Sequence, residues 1–167
     1  MDFIQDIEKN HGEVYLVGGM VRDRYYNKFY NTDIKSKDFD ILICKISSVK
    51  LEIILKKYGY IKEVGKAFGI ITFHPNNKRI NQYEFDIALP RYEKSTGPGY
   101  KDFHIVSDEN VPIEKDLERR DTTINAMAYR LYKIDDMLNT DINEEQIIDK
   151  FNGKDDIKKK LIKAVGD

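Results

Sequence analysis

An α+β fold, with a small mixed or antiparallel sheet flanked by helices, is predicted by three features of this sequence. An apolar run, EVYLV, leads through a glycine pair into a segment with helical spacing. A second run, FDILIC, follows, and two further runs surround the turn PNNKR as an antiparallel hairpin would. Strands and helices do not alternate regularly, so a dinucleotide-type βαβ array is not expected.

Phe3, Ile4 and Ile7 at helical spacing predict a short amphipathic helix ended by Asn10-His11-Gly12, after which EVYLV is a buried strand. Gly18-Gly19 turns the chain into a helix over MVRDRYYNKF, with Val21, Tyr25 and Phe29 on one face. SSVKLEIILKKYG has a serine cap, helical apolar spacing and a closing glycine, Gly59. KEVGKAFGIITFH and NQYEFDIAL supply the hairpin strands, and residues 90–103, rich in glycine, proline, serine and charge, form a mobile loop. Within VPIEKDLERRDTTINAMAYRLY we expect a short helix and then a second one beginning near Asp121, whose carboxylate suits a helix N-terminus. IIDKFNG is a short strand and turn, GKDDIKKKLIKAV is a closing helix, and the helices are expected on one side of the sheet.

The 167 residues suit one domain, 1–167, and the 41% hydrophobic content allows a real core. No apolar run approaches membrane-spanning length and the opening MDFIQDIEKN is not a secretory signal, so no membrane association and a cytoplasmic location are expected. The lone Cys44, closing an apolar run, is read as a buried structural thiol, and the scattered His11, His74 and His104 do not suggest zinc. A net charge of −1 argues against a general RNA clamp. The basic stretch KDDIKKKLIK is read as a solvated helix face.

Asp38 and Asp40, two apart on an expected strand, would project from one face. Close carboxylates repel unless protonated or bridged by a cation, and such oxygen ligands suit Mg²⁺. Asp86, on the expected strand YEFDIAL, would complete a three-carboxylate site for two Mg²⁺ ions, with Glu84 as its rival. The turn at Gly18 and Gly19 before a helix suits a triphosphate, and Arg22, one turn in, offers a guanidinium fork.

VGGMVRD, DFDI and LERRDTTINAMA, in this order, resemble the head domain of tRNA nucleotidyltransferases and bacterial poly(A) polymerases, the class II group of the polymerase β-like nucleotidyltransferase superfamily. The resemblance runs from about Val14 to Asp167 and is greatest to bacterial CCA-adding enzymes. It implies the polymerase β-like palm fold and transfer of AMP or CMP from ATP or CTP to an RNA 3′-hydroxyl, with tRNA as acceptor and pyrophosphate as product. It also implies that Gly19 and Arg22 contact the nucleotide, that Asp38 and Asp40 are catalytic metal ligands with Asp86 as third acid, and that Arg120 binds nucleotide. Asp121 and Asn125, one helical turn apart, would hold its ribose, and the segment 91–103 would be the family's flexible loop.

Three departures are visible. YYNKFYNTDIKSK replaces a short turn between Arg22 and Asp38, and we expect it to protrude beside the pocket; Thr122 stands where the family often has an aromatic or aliphatic residue. The sequence ends at KAVGD, ahead of the family's neck, body and tail, which are therefore expected to be absent. A separate helical partner, a nucleotide-binding regulatory module, and transfer to a non-tRNA acceptor are the alternatives that this leaves open.

Overall fold

The computed structural model describes residues 1–63, 69–99, 103–107 and 109–166. The helices are α1 (Phe3–Lys9), α2 (Gly19–Tyr30), α3 (Ser48–Lys56), α4 (Ile113–Glu118), α5 (Ile134–Leu138) and α6 (Gly153–Lys158). The strands are β1 (Glu13–Val17), β2 (Phe39–Cys44), β3 (Gly59–Glu63), β4 (Ile70–Pro75), β5 (Phe85–Ala88), β6 (Arg91–Ser95), β7 (Phe103–Ser107), β8 (Ala128–Leu131) and β9 (Ile147–Ile148). Seven of them form one sheet in the order β3-β4-β5-β2-β1-β8-β9. Only β2 and β5 run parallel in it, so the sheet is mixed, as the sequence predicts.

Side chains alternate across each strand, and the two faces have different partners. Val14 and Leu16 of β1, Ile41 and Ile43 of β2 and Phe85 and Ile87 of β5 pack with Phe3, Ile4 and Ile7 of α1, Val21 and Tyr25 of α2 and Leu51 and Leu55 of α3. Phe3, Phe39, Phe73 and Phe85 interlock here, with ring centroids 5.2 Å apart for Phe3–Phe73 and 4.9 Å for Phe39–Phe85. Each such pair contributes about 0.5–1.5 kcal/mol beyond its burial. On the opposite face Tyr15, Val17, Leu42 and Cys44 meet Ile113 and Leu117 of α4. Helices therefore cover both faces rather than one, but α4 is short and leaves the end of its face open.

Local signals explain the termini. Asp2 and Gln5 form a reciprocal capping box on α1, and the Ser47 hydroxyl caps α3 by accepting from Lys50 N at 3.2 Å. α2 ends at Asn31, whose φ of 54° is left-handed. Gly59 opens β3 instead of closing α3.

Three further expectations are corrected. Residues 90–103 are not simply a loop: β6 pairs with β7 as a separate antiparallel ribbon, while 100–102 lie outside the described residues, as do 64–68 of the first hairpin segment. No α-helix starts near Asp121; a single 3₁₀ turn, Thr123–Asn125, leads into β8. The closing helix stops at Lys158, where the Tyr30 hydroxyl donates to the carbonyls of Ile157 and Lys158 at 3.0 and 2.9 Å. The chain then runs beside 121–123, with Thr123 N donating to Lys163 O and Val165 N to Asp121 O. These long-range bonds take the place of the helical ones that the local spacing favours.

Candidate active site

The open end of the sheet gathers the C-terminus of β1 and the N-termini of β2 and β5. Gly18 joins β1 to α2 with φ 72° and ψ −137°, a backbone that a side chain would strain, and no side chain caps the helix it opens. A Cβ on Gly18 would lie 3.4 Å from Arg120 Nη1 and 3.8 Å from Asp40 Oδ2. One on Gly19 would lie 3.3 Å from Arg22 Nη2. Guanidinium nitrogens of Arg22, one turn along α2, and of the distant Arg120 thus reach the glycine pair, which Asp40 also approaches.

A hollow of about 360 Å³ is lined by Gly18, Gly19, Arg22, Asp40, Arg119, Arg120, Asp121 and Asn125. Seven of the nine residues expected from the sequence meet in it. Asp38 and Asp86 instead line a neighbouring hollow with Lys37, Gln82, Tyr83 and Glu84. Asp38 precedes β2 rather than lying on it, so alternation along a strand does not place it beside Asp40. Asp86 sits directly opposite Asp40 in the parallel β2–β5 register, whereas the rival Glu84 precedes β5 and faces His74 at 3.4 Å.

Each cation is held from behind. Arg22 donates Nη1 to Asn125 Oδ1 at 2.8 Å and Nε to Asp23 Oδ1 at 2.8 Å. Asp116, fully buried, accepts from Arg120 Nη2 at 3.0 Å, from Arg119 Nη2 at 3.1 Å and from Arg91 N at 3.0 Å. Neither Asp116 nor Arg119 is among the residues expected from the sequence. The available signal was the spacing in DLERR, which puts Asp116 three and four residues before the arginines on one helical face. Asp121 turns its carboxylate back to its own neighbour, accepting from Thr122 N at 2.8 Å.

Burial pushes the Asp40 carboxyl upward from its ordinary pKa; the charge of Asp86 pushes the same way, Arg120 opposes, and Asp38 adds to the rise. This mutual repulsion is the condition that a divalent cation relieves, and carboxylate oxygens are the donors that Mg²⁺ takes. The donor chemistry therefore fits Mg²⁺, although no three His, Cys, Asp or Glu side chains among the described residues are drawn into one ready cluster. Larger hollows of about 440 and 460 Å³ lie beneath residues 32–36 and beside α3, and the glycine pair lines neither. Among the described residues no helix is long and apolar enough to cross a membrane.

Known proteins share this arrangement of elements. A family model described as the poly(A) polymerase head domain matches residues 14–163. The multifunctional CCA protein of Haemophilus ducreyi is 36% identical over 155 residues, covering 93% of this chain and 31% of its own length. The CCA-adding enzyme of Coxiella burnetii is 31% identical over 163 residues, covering 98% of this chain and 35% of its own. Among solved structures, the apo form II of a CCA-adding enzyme aligns with a TM-score of 0.70 at 28% identity, over 98% of this chain and 33% of that one. A CCA-adding enzyme in complex with ATP aligns with a TM-score of 0.62 at 25% identity, over 97% and 32%. This chain thus spans about a third of the length of these relatives.

Proposed function

Because the chain belongs to the poly(A) polymerase head-domain family, we propose that it is a metal-dependent nucleotidyltransferase, moving CMP or AMP from CTP or ATP onto an RNA 3′-hydroxyl. The acceptor in this reading is the 3′ end of tRNA, in CCA addition or repair, and the setting is the cytoplasm. The observation that carries it is the approach of Arg22 and Arg120 to the Gly18–Gly19 turn, with Asp40 alongside. Two fixed cations at an uncapped helix start form a triphosphate cradle.

Gly18 and Gly19 let the phosphates approach the main chain, and Arg22 and Arg120 neutralise charge as it builds on the departing phosphates. Arg119 adds a third cation at the rim, while Asp121 and Asn125 take the ribose hydroxyls. Mg²⁺, held by Asp40, Asp86 and Asp38, would supply Lewis-acid charge neutralisation and a lowered pKa for the attacking hydroxyl. The RNA 3′-oxygen forms a bond to the α-phosphorus as the bond from that phosphorus to the bridging β-phosphate oxygen breaks, and pyrophosphate leaves. Asp86, exposed to water, takes the 3′-hydroxyl proton and passes it to solvent.

Two-thirds of the relatives' length lies outside the region matched here, and we assign the grip on the tRNA body to a helical segment of that kind, whether in the same polypeptide or a partner. The test is incubation with α-labelled CTP or ATP, Mg²⁺ and tRNA lacking its CCA end. Label should enter the RNA with release of pyrophosphate, and more of it when a helical partner is added. Tight nucleotide binding with no incorporation under either condition would contradict the transferase reading.

A further inference from the structure

Residues 31–38, the long segment between α2 and β2, are mostly exposed, and a hollow of about 440 Å³ separates part of the segment from α2. Ile34 is 47% exposed, so apolar packing does not hold this excursion down. Side-chain hydrogen bonds do. Asn27 Oδ1 accepts from Thr32 Oγ1 at 2.9 Å and from Ile34 N at 2.8 Å, and Asn27 Nδ2 donates to Ile34 O at 2.9 Å. One turn nearer the glycine pair, Ser36 Oγ donates to Asp23 Oδ2, while the other oxygen of Asp23 accepts from Arg22 Nε.

We propose that the excursion is a strap, and that Ser36 and Asp23 are positioning residues that set Arg22 on the nucleotide phosphates and fix the approach to Asp38. This deepens the nucleotidyltransferase reading and rests on it. Arg22 has several rotatable bonds and could sweep a wide arc. Asp23 and Asn125 each take one of its nitrogens, which leaves Nη2 beside Gly19. Asp23 is itself a mobile side chain unless its second oxygen is held, and Ser36 holds it. Ser36 stands two residues before Asp38, so the same bond ties the phosphate arginine to the entry of the acidic strand. Asn27 keeps the excursion low enough for Ser36 to reach. A pre-set guanidinium loses less freedom when phosphate binds.

The test compares wild type with Ser36→Ala, Ser36→Thr and Asn27→Ala. Two readouts are used: ATP and CTP titration with Mg²⁺, and hydrogen exchange at the Arg22 Nε–H, assigned in NMR spectra by its loss in Arg22→Lys. Ser36→Ala should raise the nucleotide Kd and KM by roughly fivefold with little change in kcat, as expected when binding geometry alone is loosened. It should also speed exchange of the Arg22 Nε–H while leaving Tm near that of wild type. Ser36→Thr should restore both readouts, and Asn27→Ala should reproduce both losses more weakly. Unchanged nucleotide affinity together with unchanged Arg22 exchange in Ser36→Ala overturns the strap. If wild type binds neither ATP nor CTP, the functional reading fails separately and the exchange measurement decides: unchanged protection of Arg22 overturns the coupling, and lost protection supports it.

Discussion

Asp40 is half-buried beside Asp86, and its folded-state pKa lies above the ordinary value of 3.8. The fold therefore binds the proton more tightly than the unfolded chain does, and the ionised carboxylate is a stability deficit. That deficit is full above the raised pKa and vanishes as pH falls below the unfolded value. Asp40→Asn in EDTA should accordingly raise Tm by roughly 2 °C near pH 7.5, with the gain shrinking toward pH 4. The same variant should abolish transfer, and scanning calorimetry across pH checks the first part. Cys44 makes a second case: burial pushes its thiol up to about 12, so alkylation at pH 8 should need unfolding, which a denaturant series with iodoacetamide would reveal. Asp40 and Asp86 were legible in the sequence because each sits within an apolar strand run whose alternation turns it away from its apolar neighbours. Asp38 directly precedes the first residue of its strand, so alternation alone does not fix where its carboxylate lies.

Among the elements, α4 joins the core to the site. It covers one sheet face with Ile113 and Leu117 and ends on the two arginines that Asp116 anchors. Asp116→Ala leaves both guanidiniums without that anchor and should cost about 3–5 kcal/mol in urea unfolding. α6 meets the 3₁₀ turn through Gly153, where a Cβ would fall 2.4 Å from the Thr123 carbonyl oxygen. Gly153→Ala must push that turn away, at about 1–3 kcal/mol, and nucleotide affinity should fall with it because Asn125 closes the turn and Asp121 lies just before it. Parallel urea and nucleotide titrations read both effects. Helices α1, α2 and α3 were legible from spacing and, for α3, its cap. The turn at 123–125 was not, since INAMA has helical spacing while the bonds that Thr123 donates go to the distant Asp156 and Lys163. The β6–β7 ribbon escaped notice because the polar strand β6, RYEKS, and the TGPG that follows it carry the composition of a loop.

At the scale of the whole molecule, the sheet has one heavily packed face and one partly open face, and the site occupies the open end. Sequence order alone hides this: Gly18, Asp40, Asp86 and Arg120 are separated by stretches that fold into the rest of the sheet. Their grouping could be expected from motif resemblance; of the anchors behind them, Asp116 and Asp23 are sequence neighbours of the arginines they hold, whereas the bond from Ser36 to Asp23 spans thirteen residues and no local pattern fixes it. The direct test is equilibrium titration of ATP and CTP, with and without Mg²⁺, into wild type, Arg120→Ala, Arg22→Ala and Asp40→Asn. A triphosphate site at the glycine pair predicts roughly tenfold or greater weakening in each arginine variant, given the strength of charged hydrogen bonds to phosphate. For Asp40→Asn it predicts loss of the Mg²⁺-dependent part alone. Wild-type affinity in both arginine variants would place the nucleotide elsewhere and contradict the assignment.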